Sequence, residues 1–96
     1  MANALVSIQI IPKLENGGDT YPLVDEAIKI IAESGLSYEV HPLETTMEGD
    51  LSQIMQMIEK MNKRMIELGS ISIISQVKIV YKPTGITMGT LTEKYR

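Results

Sequence analysis

The 96 residues are 44% hydrophobic with a net charge of −3, which suits one folded domain over residues 1–96 and argues against a disordered chain. The acidic balance gives no electrostatic footprint for nucleic acid. Cysteine is absent and histidine occurs once, which excludes a disulfide framework, a thiolate or histidine-rich metal site and a cysteine nucleophile.

No apolar run is long enough to span a membrane, and the first residues lack a basic and then apolar leader. A cytoplasmic chain with no membrane partner and no cofactor is expected. Phe and Trp are missing and Met occurs seven times, so the core must be aliphatic and adaptable.

Residues 5–11 alternate, with Val6, Ile8 and Ile10 on one side and Leu5, Ser7, Gln9 and Ile11 on the other. This predicts a strand with one dry and one mixed face. Pro12 and the 15–19 segment end it in a loop, and the Gly17-Gly18 pair lacks the Lys and hydroxyl residue of a phosphate cradle. From Thr20 the spacing of Leu23, Ala27, Ile28 and Ile31 predicts a helix, with Pro22 in its first turn, Asp25 and Glu26 near its positive end and Gly35 as its stop. Residues 36–42 read as extended, with Tyr38 and Val40 opposite Glu39 and His41.

The 41–51 stretch must turn, lay down a short strand and open a helix. Thr46 and Glu48 face one side of that strand, Thr45 and Met47 the other. Gly49 permits a strained backbone, and Asp50 with Gln53 has the pattern of a capping box. Over residues 51–68, Leu51, Ile54, Ile58, Met61, Met65 and Leu68 recur at helical spacing. Met55, Met57, Met61 and Met65 read as core filler, while Lys60, Lys63 and Arg64 read as a solvated face. Residues 70–82 form a long alternating strand, and Thr90 with Glu93 marks a second capping box and a short final helix.

This order predicts an α+β, ferredoxin-like βαββαβ sandwich: a four-stranded antiparallel sheet, two helices on one face and a short C-terminal helix. The first and third strands would be central. The helices would bury Val6, Ile8, Ile10, Val40, Met47, Val77 and Ile79. The open face would carry Ser7, Gln9, His41, Thr46, Glu48, Gln76 and Lys78, with Leu5, Ile11 and Ile74 wet unless another chain covers them. The 71–81 edge invites such pairing.

The first strand, the junction Thr45-Thr46-Met47-Glu48-Gly49-Asp50 and the late strand Gln76-Val77-Lys78-Ile79 together resemble the thiamine-binding, YkoF-like family of small ferredoxin-like proteins. The likeness covers nearly the whole chain. It implies a homodimer or homotetramer that binds thiamine or its hydroxymethylpyrimidine moiety and is not an enzyme. One departure is Lys82, where the family has an arginine that offers a planar fork. Under this resemblance the ligand-binding candidates are Ser7, Gln9, Thr45, Thr46, Glu48 and His41, with Glu48 as the main anchor and Ser34 and Tyr38 as contributors. An ionised Glu48 offers only acceptors, which suits an aminopyrimidine edge or a nearby cation. Spacing alone favours solvated open-face roles for Ser7 and Gln9 and a surface role for His41; the resemblance brings the ligand role of Ser7 and Gln9 level with the solvated one. Two other functions stay open: a small dimeric ferredoxin-like enzyme using Glu48 and His41 as acid and base, and a regulatory oligomerisation module.

Overall fold

In the computed structural model, residues 2–15 and 17–95 are described. The elements are β1 (Ala4–Lys13), α1 (Tyr21–Glu33), β2 (Ser37–Val40), β3 (Thr45–Gly49), α2 (Leu51–Glu67), β4 (Ser72–Tyr81) and α3 (Met88–Thr92), followed by a 3-10 turn at Glu93–Tyr95. The strands form one antiparallel sheet in the order β2-β3-β1-β4. With α1 and α2 packed on one face, this is the expected ferredoxin-like arrangement. No helix among the described residues is long and apolar enough to cross a membrane.

The core lies between the helices and β1 and β3. Val6, Ile8 and Met47 from the sheet meet Leu23, Ala27 and Ile31 from α1 and Ile54, Met57, Ile58, Met61 and Met65 from α2. Unbranched methionines fill the irregular gap that an absence of Phe and Trp leaves. Met55 departs from the expected set, because its position turns it to solvent at 46% exposure. Lys63–Glu59 and Arg64–Glu67 pairs lie on the outer face of α2, as a solvated face requires.

Several expectations change. Val40, Val77 and Ile79 point to the helix side but are 52%, 36% and 44% exposed. The core gathers on the two central strands, so these edge positions stay wet in a single chain. Leu5 behaves in the opposite way: it is on the face away from α1 and α2, yet it is buried. Its register partner is Glu48, whose carboxylate holds the start of α3, so the C-terminal segment covers this end of the open face.

Local signals also shift. Asp25 and Glu26 fall in the second turn of α1, and Asp19 instead accepts from the Tyr21 N–H. The cap of α3 is Thr87, whose hydroxyl accepts from Thr90 N, so the helix begins ahead of the Thr90–Glu93 pattern. Gly49 has no positive φ; a Cβ there would sit 2.6 Å from Leu36 Cδ2, so close packing rather than backbone strain favours glycine. Asp50 caps α2 as expected, accepting from Gln53 N.

β1 outlasts its partner on one side. Its pairing with β3 ends at Ile8↔Thr45, whereas its pairing with β4 continues to Lys13↔Ser72. Lys13 donates to Ser70 Oγ and accepts from Ile71 N, so odd-numbered residues of β1 direct their amides toward β4. Even-numbered residues point the other way. Pro12 is tolerated there because its missing N–H would face an empty edge.

Candidate functional site

The sheet register assembles the open face in rows. Glu39, Thr46, Ser7 and Lys78 lie side by side across all four strands. The next row toward the β1 C-terminus pairs Gln9 with Gln76, and the next in the other direction holds Ser37, Glu48, Leu5 and Val80. Ser7, Gln9, Gln76 and Lys78 line a shallow depression of about 620 Å³, closed at one side by Leu43 and Glu44. Such a surface offers hydroxyl, amide and ammonium donors together with a carboxylate.

Glu48 lies on this face but not in the depression. Its Oε1 accepts from the Met88 N–H at 2.7 Å, which satisfies one of the free amides at the start of α3. The carboxylate is half-buried there. Glu48 is therefore first an anchor for the C-terminal segment, and only its second oxygen remains for other partners.

Thr45 and His41 separate from the other candidates. Thr45 is paired with Ile8, faces the helices and is buried. His41 stands in the β2–β3 turn, where its N–H donates to the Glu44 carbonyl and its Nε2 lies 3.3 Å from Glu39 Oε2. The imidazole thus has a different acid from Glu48 as its neighbour. Both residues line a narrower crevice of about 210 Å³ on the helix side of the sheet, beneath α1. Of the suggested contributors, Ser34 caps α1 through Ile31 O and Leu36 N, and Tyr38 points to the helix side of β2.

Leu43 and Glu44 carry no motif and were not among the candidates. They matter because the turn they form walls both cavities. The available signal was position: a turn directly before Thr45-Thr46 must stand over the end of that strand. Among the described residues, no group of three or more His, Asp and Glu side chains is placed to hold a metal ion.

A family model for thiamine-binding proteins matches residues 6–96 of this chain. A UPF0045 protein of Clostridium perfringens is 42% identical over 91 residues, which cover 95% of each chain. A domain of unknown function from Bacillus cereus superposes with a TM-score of 0.91 at 32% identity, over 100% of this chain and 93% of that one. A candidate thiamine biosynthesis/salvage protein of Thermotoga maritima superposes with a TM-score of 0.87 at 33% identity, over 98% and 99%. With fold, junction and nearly full-length match in agreement, the chain belongs to the thiamine-binding protein family.

Proposed function

We propose that this protein binds thiamine or its hydroxymethylpyrimidine moiety without transforming it, as a cytoplasmic homodimer or homotetramer. The observation that carries the reading is the row of unlike polar groups, Thr46, Ser7 and Lys78, beside Gln9 and Gln76 on one face of a sheet. Amide and hydroxyl groups match the donors and acceptors of an aminopyrimidine, and Glu44 supplies a carboxylate for the thiazolium charge. Glu48 contributes its free oxygen and its charge from the neighbouring row. Separation of His41 from Glu48 supports binding over catalysis, since an acid–base pair must converge on one reacting group.

Self-association is supported by the same face. Ile11 and Ile74 are opposed across β1 and β4 at 40% and 60% exposure, next to the polar rows. A second copy laid on this face would dry them and deepen the depression.

Titration calorimetry with thiamine and hydroxymethylpyrimidine tests the function. Glu48→Gln should weaken binding by about tenfold, and Ser7→Ala and Gln9→Ala by about fivefold each. Lys60→Ala, on the outer face of α2, should change nothing. Absence of heat with either ligand at millimolar concentration would sink the reading.

A further inference from the structure

The segment after β4 is fastened to the sheet unevenly. Lys82 N donates to Asn3 O and Ile86 N to Ala2 O, and the Ile86 side chain is buried. Between them the chain turns, with Gly85 N donating to Lys82 O and Gly85 at a φ of 111°, a value suited to glycine. Beyond Ile86 the attachment thins. α3 has no buried residue, and Leu91 and Tyr95 are 50% and 76% exposed. Its side-chain bonds are internal: Thr87 Oγ1 accepts from Thr90 N, and Thr92 Oγ1 donates to Met88 O. Among the described residues, 87–95 make one hydrogen bond to the rest of the chain, from Met88 N to Glu48 Oε1. A five-residue helix does not hold itself together in water, so that bond keeps α3 folded as well as docked.

We propose that residues 87–95 are a strap, shut by the Glu48–Met88 bond and released when a cationic ligand on the open face takes the Glu48 carboxylate. Glu48 lies one row from Thr46, Ser7 and Lys78 on the same face, so Met88 stands against the group that such a ligand needs. The bond sets the carboxylate's charge against a neutral N–H, and a cation is the stronger partner. The body of the protein does not depend on the strap. Gly49 O accepts from Asn3 N and Asn3 Oδ1 accepts from Leu51 N, so the backbone beyond Glu48 stays clamped when its side chain lets go. By linkage, a ligand that opens the strap binds more tightly wherever the strap is already open.

Thiamine as the releasing ligand rests on the proposed function; the single tether does not. The test combines amide hydrogen exchange with titration calorimetry of the full chain, using thiamine as the probe. Met88→Pro removes the tethering N–H alone. Proline suits the first position of a helix, and Thr87 before it is already extended, at φ −136° and ψ 156°. Thr87→Ala opens the strap by another route, through loss of the α3 cap. In wild type, saturating thiamine should speed exchange at residues 89–93 about fivefold and leave that of α2 unchanged. Met88→Pro should bind thiamine about fivefold more tightly, the equivalent of one hydrogen bond that no longer has to break. Thr87→Ala should also bind more tightly than wild type. Thiamine that binds without speeding exchange at residues 89–93, or that binds Met88→Pro no better than wild type, overturns the strap and leaves the proposed function standing. No heat from either protein at millimolar thiamine removes the ligand and the release of the strap together.

Discussion

Glu48 Oε1 and the Met88 N–H lie 2.7 Å apart although forty positions separate them, and this one bond ties the C-terminal helix to the middle of the sheet. Leu5, the register partner of Glu48, is buried at this end of the face. Glu48→Ala should therefore loosen α3 while leaving the core intact. Hydrogen exchange across residues 86–92 should accelerate, with a stability loss of about 1 kcal/mol, the partial exposure of the carboxylate lowering the usual value for a charged acceptor. Unchanged protection in that segment would show that α3 is held by something else.

Gly49→Ala places a methyl group 2.6 Å from Leu36 Cδ2, and the leucine must turn aside. Because that atom is the end of a flexible side chain, the expected loss is at the low end for overpacking, about 1 kcal/mol. The same change in a Leu36→Ala background should cost close to nothing. Urea denaturation of the four proteins in this cycle measures the coupling directly.

Asn3 holds the start of α2 from outside the helix: its Oδ1 accepts from Leu51 N and its Nδ2 donates to Asp50 Oδ1. Asn3→Ala leaves Asp50 as the only side-chain cap and should cost about 1 kcal/mol. Thermal unfolding should show a lowered midpoint, and an unchanged midpoint would show that Asp50 caps the helix unaided.

Methionines of α2 should divide by depth. Met61 is 1% exposed and Met55 is 46% exposed. Met61→Ala opens a cavity among Ile8, Ala27 and Ile31 and should cost about 2–5 kcal/mol. Met55→Ala should stay within about 0.5 kcal/mol of wild type. Equal losses at the two sites would mean that α2 is rotated from its described position.

Ile74→Lys places a charge opposite Ile11 on the open face. If self-association uses that face, light scattering at micromolar concentration should find an oligomer for wild type and a monomer for the variant. Burying each of these isoleucines is worth roughly 1.5–3 kcal/mol, enough for one charge to decide the equilibrium. An oligomer that survives Ile74→Lys would place the contact elsewhere.

Alternation made the sheet legible, because the side of a strand on which a residue lies follows from counting by two. It put Ser7 and Thr46 on one face, and the register then sets them side by side. It could not say whether a side is covered, which is why Val77 and Ile79 are wetter than their pattern suggests and Leu5 drier. The partner of Glu48 left no trace in the sequence, since every residue but proline carries the N–H that Met88 uses. Thr45 was recognised through its motif, but the crevice it opens on depends on where β3 stops relative to β1. That boundary is set by the 41–44 turn, where pattern is least informative.

The longest ladder of the sheet joins the first strand to the last, from Ala4↔Tyr81 to Lys13↔Ser72, and is continued by Lys82 N to Asn3 O and Ile86 N to Ala2 O. On the ribosome β1 emerges well before its principal partner β4. At roughly 5–20 residues per second, β1 waits for several seconds with that edge unpaired. The β-α-β-β-α portion can collect its helices meanwhile, but it cannot close. Folding is thereby tied to the synthesis of β4, and a chain stalled before β4 would present the alternating apolar residues of β1 to chaperones or to neighbouring nascent chains.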